Sequence, residues 1–151
     1  MNSMMKTISD KSTRDELIER IKRLNENATA QWGEMNVHQM VRHCSLWEEL
    51  MLGKRKYKRN WIGYLFGKIA LKSLVRDEKP LSRNTPTIPD LKIKETGDFE
   101  TEKARWISLM EEQASYSGPE IMHPFFGKMT KEQSGYLLYK HTDHHLRQFN
   151  S

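Results

Sequence analysis

Apolar residues recur at helical intervals in four stretches of the chain, and each stretch opens on a residue suited to capping a helix. The first begins at Ser12 and Thr13, with Asp15 and Glu16 three residues after them, the spacing of a capping box. Leu17, Ile21, Leu24 and Ala28 then form one stripe, which fades between Asn25 and Thr29. After a break at Trp32-Gly33, Asn36 is placed to cap a second helix. Met40, His43, Trp47 and Leu50 fall on one face of it, flanked by Val37, Cys44 and Met51. Gly53 suits the position just past its end. A third helix is predicted from Glu100 to Ser117 behind the acidic Asp98. Its apolar face is Trp106, Leu109, Met110 and Ala114, and Gly118-Pro119 ends it. The fourth starts after Thr130, with Gln133 at capping-box spacing, and aligns Leu138, His141, His145 and Phe149.

Residues 54 to 97 form a long connection between the second and third of these helices. A basic run comes first. An amphipathic segment from Asn60 to Val75 then predicts a short extra helix, followed by a stretch with Pro80, Pro86 and Pro89 that cannot stay helical. A connection of this length suits a crossover in a helix bundle. The aromatic loop His123-Pro124-Phe125-Phe126-Gly127 precedes the last helix. No strand pairing and no internal repeat is evident. The fold expected is an all-α, four-helix bundle, residues 1–151 forming one domain.

Composition adds a few limits. A chain of 151 residues can bury a core without disulfides, and its one cysteine, Cys44, excludes an intramolecular disulfide. The reading that follows is a cytoplasmic protein. The opening residues, Met1 to Thr7, lack the apolar run of a signal peptide. Trp61 to Val75, the longest apolar stretch, is interrupted by Gly63, Gly67, Lys68 and Lys72 and is too short to span a bilayer, so no membrane insertion is expected. The segment is read as packing against the bundle, with a dimer surface, a lid or a membrane-surface helix as alternatives. A homodimer is the oligomeric state expected. The net charge of +5 owes much to Lys54, Arg55, Lys56, Lys58 and Arg59. With no nucleic-acid motif beside it, this run reads as a solvated loop and not as a specific nucleic-acid site.

The six histidines carry the candidate chemistry. His141 and His145 are four apart on a helix, which sets their Cβ atoms about 5–6 Å apart on one side, the side of Leu138 and Phe149. His43 lies between Met40 and Trp47 on the apolar stripe of another helix. Three inward imidazoles from two helices would make a three-nitrogen site for a divalent metal with one position open, the alternative being a helical pair that is simply at the surface or hydrogen-bonded at an edge. Buried imidazoles without partners would each cost about 1–3 kcal/mol. His144 is about 100° around the helix and is expected to face outward or to sit at the bundle edge. Cys44, rotated by the same angle from His43, reads as a small buried apolar residue. Glu48 and Glu49 do not fall clearly on the face of His43, and Asp143 points away from the histidine pair. His123 is the one candidate for an orienting or acid–base role, set against a simpler role in packing its loop.

The residues from Trp32 to Cys44, Trp-Gly-Glu-Met-Asn-Val-His-Gln-Met-Val-Arg-His-Cys, resemble a conserved stretch of the DUF1569 family. Asn84 to Leu91 resembles its Pro-Thr-containing connection, His123 to Thr130 its His-Pro-x-Phe-Gly loop, and Lys140 to Phe149 its closing helix. The likeness runs in order from Trp32 to the end of the chain. It implies the DinB/YfiT-like superfamily: a four-helix bundle in which one histidine of the second helix and a His-x-x-x-His pair of the last bind a divalent metal. On this sequence those are His43, His141 and His145. The superfamily includes thiol S-transferases, a thiol-dependent isomerase and hydrolases, and DUF1569 has no settled activity.

The expectation is therefore a metal-dependent hydrolase or thiol S-transferase acting on an unidentified small molecule. The metal would lower the pKa of bound water or hold the thiolate of a small thiol. Zinc and nickel are the favoured ions, although imidazole also suits iron and copper. The alternative is a non-catalytic metal-binding or stress-associated module.

Overall fold

A computed structural model describes residues 4–151; Met1 to Ser3, which begin the segment read as free of a signal-peptide run, lie outside the described residues. Five α-helices account for most of the structure: α1 Lys11–Arg23, α2 Val37–Met51, α3 Trp61–Leu74, α4 Phe99–Gln113 and α5 Lys131–Gln148. A small antiparallel sheet pairs β1, Ile121–His123, with β2, Gly127–Met129. α1 and α2 each pack on both α4 and α5, and the α2–α4 pair is the most extensive. The core lies between these four. It contains Leu17, Ile21, Met40, Leu50, Trp106, Met110, Leu137 and Leu138, all almost fully buried. No described helix is long and apolar enough to cross a membrane.

The caps explain most helix boundaries. Asn36 and Gln39 satisfy each other's backbone N–H at the start of α2, and Thr130 and Gln133 do the same for α5. Gly53 follows α2 at φ +70. The start of α1 differs from the expected cap. Asp10 is the cap, because its carboxylate accepts from the Thr13 N–H and from the hydroxyls of Ser12 and Thr13. One anionic oxygen at a helix N-terminus outcompetes two neutral hydroxyls for the same donors. α4 also stops four residues short of the expected Ser117. Ala114, Ser115 and Tyr116 each donate to the carbonyl three residues back, so the chain tightens and leaves the helix before Gly118. At the end of α1, the buried Lys103 ammonium donates to the carbonyls of Lys22 and Leu24, placing a cation at the negative end of the helix.

The hairpin was not expected, since strands of three residues are too short to show alternation. It closes through the imidazole of His123, whose Nδ1 accepts the N–H groups of Phe125 and Phe126 at 3.0 and 3.1 Å. A side chain thereby satisfies two donors in the tight turn.

α3 occupies the predicted extra helix, capped by Asn60. Its docking is unusual in which residues it buries. Only Gly63, Gly67 and Leu71 are buried. The hairpin turn lies against the two glycines: a Cβ on Gly67 would stand 2.1 Å from the Phe125 carbonyl oxygen, and one on Gly63 2.3 Å from it. The large side chains Trp61, Tyr64, Leu65, Phe66 and Ile69 face outward. The inward packing expected of this segment is therefore confined to a narrow stripe of Gly63, Gly67 and Leu71. Beyond α3 the connection turns at a 3-10 segment, Pro89–Leu91, and inserts Leu91 fully into the core beside α2. In the basic run, Lys54 pairs with Glu112, Arg55 with Glu49, and Arg59 lies over the Tyr64 ring.

Gly67→Ala should lower stability by about 1–3 kcal/mol, because backbone cannot give way as a flexible side chain would. Leu65→Ala, on the exposed face, should change it by no more than about 0.5 kcal/mol. Urea unfolding of the two variants compares them; equal midpoints would show that the glycine contact does not hold α3.

Candidate metal centre

His43 on α2 and His141 and His145 on α5 meet between the two helices. Their ring centroids are 4.6–5.0 Å apart. One nitrogen from each lies within 4.8 Å of the others. All three side chains are buried, with 2%, 7% and 6% of their surface exposed.

The outer nitrogens determine what the inner ones can do. His43 Nδ1 lies 3.0 Å from the Leu91 carbonyl, which can only accept, so the proton sits on Nδ1. His43 Nε2 then carries its lone pair inward. His145 Nδ1 lies 2.8 Å from Gln148 Oε1. The orientation of that amide follows from its other end, where Nε2 donates to the Trp32 carbonyl at 2.9 Å. Gln148 must therefore accept from His145, and His145 Nε2 also faces inward as a lone pair. Gly33 is required at this point. It has φ +80, and a Cβ there would stand 2.8 Å from Gln148 Nε2. Trp47, one turn beyond His43, lies flat on His141 with centroids 4.2 Å apart and planes 13° apart, and fixes the third ring.

His43 Nε2 and His141 Nε2 are 3.0 Å apart. Two imidazoles bound to one ion at zinc-like bond lengths stand about 3.3 Å apart at a tetrahedral angle and about 2.9 Å at a right angle. The donor set, the His43–His141 separation and the inward lone pairs of His43 and His145 fit a divalent ion. The same pair can form a direct hydrogen bond if His141 carries its proton on Nε2. Burial lowers the pKa of all three imidazoles, and the neighbouring imidazoles lower that of His141 further; the Leu91 and Gln148 hydrogen bonds oppose this only in part. The neutral form, the one that ligates, is favoured.

The remaining candidates lie outside this three-nitrogen set, although the His144 ring is 5.1 Å from that of His145. His144 is buried, not outward-facing: its ring packs against Trp32 at 5.4 Å, and Arg83 of the long connection covers Trp32 in turn. His123 lies against the Trp47 ring at 5.1 Å. Its Nδ1 is committed to the hairpin turn, its Nε2 has no partner among the described residues, and burial followed by the nearby Arg59 charge pushes its pKa down to about 3. Cys44 is buried with its thiol pKa raised by burial, as a packing residue would be. Asp143 points away from the cluster and ties α5 to Arg20 of α1 at 2.8 Å.

Two contributors were missed in the sequence. Gln148 carries a signal, since it lies one turn after His145 on the same helix. The Leu91 carbonyl carries none, because any residue supplies one. Glu48 and Glu49 are both buried. Glu49 sits between Arg55 and Arg105, whereas Glu48 accepts from Gln113 Nε2 at 2.7 Å and is pushed by burial up to about 8.

The match to known families is direct. The family model described as "Protein of unknown function (DUF1569)" covers residues 7–151. The chain belongs to the DUF1569 family. No curated protein and no solved structure matched the chain. The family stretch Trp32 to Cys44 thus contains both His43 and the Trp32 carbonyl that orients Gln148.

The Glu48 carboxyl gives a pH test. Its folded pKa lies above the ordinary value, so the folded chain keeps a proton that the unfolded chain releases. The stability this lends is complete below about pH 4.3 and is lost as pH rises towards 8. Glu48→Gln removes the titration. Its stability relative to the parent should climb steadily between pH 5 and 8 (about the two pKa values). Denaturant unfolding at several pH values measures the difference, and a constant offset would mean that Glu48 is ionised in the fold.

Proposed function

We propose that this DUF1569 protein is a metal-dependent enzyme of the DinB/YfiT-like type, with one divalent ion held by His43, His141 and His145. The observation that carries the reading is the proton arrangement. Two of the three imidazoles have their N–H groups fixed outward on Leu91 and Gln148, so their lone pairs converge where the third ring is stacked in place. A buried cluster of neutral donors without an ion gains little from this arrangement. Bound there, zinc or nickel supplies Lewis acidity at neutral pH, which suits hydrolysis or S-transfer from a small thiol. Within the chain, Leu91 and Gln148 orient the ligands, and Trp47 packs one side of the site. His123 is a positioning residue that shapes the hairpin beside Trp47.

A second reading, a structural ion without catalysis, is favoured by the depth of the site: none of the three imidazoles exposes more than 7% of its surface. Counting ligands separates the two. Three protein nitrogens with an exchangeable oxygen support an enzyme, and a shell closed by protein supports a structural ion.

Purified protein is expected to contain close to one equivalent of metal, and His141→Ala and His145→Ala should each lose most of it. Elemental analysis that finds the same metal content in both variants and the parent would sink the site. Gln148→Leu should retain the fold and bind the ion about 10–100-fold more weakly, read by competition with a chelator. Unaltered affinity would mean that the His145–Gln148–Trp32 chain does not orient the ligand.

A further inference from the structure

α3 is amphipathic in the wrong sense for a helix that serves only the core. Gly63, Gly67 and Leu71 face inward, and most of its other large apolar residues face water. Trp61, Leu65 and Ile69 form one row along the helix, 71%, 62% and 70% exposed, with Ile62 and Phe66 in the row beside it. The inward side is already closed against the Phe125–Phe126 backbone, so the helix cannot roll to bury that row. A contiguous aromatic and aliphatic ridge of this kind on a surface marks a contact.

Charge decides the kind of partner. Between residues 54 and 76 the chain carries eight Lys and Arg and no Asp or Glu. Lys56, Lys58, Lys68 and Lys72 are exposed, and none pairs with a carboxylate among the described residues. Lys72 continues the row of Trp61, Leu65 and Ile69, and Lys68 borders it. A second copy of the chain docking through the same face would meet this segment with itself, since a two-fold contact is self-complementary, and would bring like charges together. An anionic lipid surface supplies the opposite charge and an apolar layer to receive the ridge.

We propose that the outer face of α3 docks the protein peripherally on an anionic lipid bilayer. The helix lies parallel to the surface. Leu65, Ile69 and Phe66 enter the boundary between headgroups and acyl chains, Trp61 and Tyr64 sit at headgroup level, and Lys72 meets the phosphates, while Lys68 donates to the Lys128 carbonyl. Nothing crosses the bilayer, in keeping with the length of the helix. The inference is independent of the metal reading, because it uses no residue of the histidine cluster.

The test is co-sedimentation of the full chain with vesicles of phosphatidylcholine alone and of phosphatidylcholine mixed with phosphatidylserine. Binding is expected to the mixed vesicles, weakly or not at all to the neutral ones, and to decline as salt is raised. The double variant Leu65→Glu, Ile69→Glu alters only exposed positions and should unfold at the parent's denaturant midpoint. Its affinity for the mixed vesicles should fall at least about tenfold, and that of Lys72→Gln about fivefold. Failure of the parent to sediment with the mixed vesicles overturns the proposal, as does equal binding by the double variant. So does a dimer in sedimentation equilibrium that the double variant dissociates, since the face would then belong to a second copy.

Discussion

A neutral imidazole taken out of water has one nitrogen that must donate and one that must accept, and this fold arranges two of its buried imidazoles with the accepting nitrogen turned inward. The Leu91 carbonyl takes the proton of His43 and the Gln148 amide takes that of His145. Much of the architecture depends on those two contacts. Leu91 reaches α2 only because the long connection folds back over the helices and breaks into a 3-10 turn at Pro89. Gln148 is held by Trp32, whose carbonyl can approach only because Gly33 has no side chain. Two segments outside the regular helices are thus bound to the geometry of the histidine cluster.

The same economy appears at the hairpin. His123 satisfies the turn donors with one nitrogen and lays its ring on Trp47, which lies on His141. The turn in turn receives the glycines of α3. A continuous run of contacts therefore connects the histidine cluster, the hairpin and the outward-facing helix. Each contact in it is steric or hydrogen-bonded, and none of them depends on a surface ion pair, which salt would weaken.

The helices were legible because capping and apolar spacing are local. Asn36 and Thr130 announce their helices with the residue three positions on, and the core faces of α2 and α5 follow from period alone. The first cap was misplaced by two residues because Asp10, Ser12 and Thr13 all qualify, and only the hydrogen bonds choose among them. The hairpin was invisible because its closure is a side-chain device. The burial of His144 was missed because helical angle says nothing about a loop that folds over a surface.

The chain by itself determined that His141 and His145 share one side of a helix and that His43 lies on the apolar face of another, since spacing along a helix sets which side chains lie together; that the two faces meet is a matter of how α2 packs on α5. The chain also determined the family, through motifs that run in order along most of its length. Only the tertiary structure decided which nitrogen of His43 and His145 keeps its proton, because the groups that decide it are a backbone carbonyl about fifty residues away and an amide held by another. It also decided that α3 turns its glycines inward and its aromatic residues outward. Periodicity reports that a helix has two faces; which of them meets protein depends on what lies opposite, and here that is a turn so close that only hydrogen fits between.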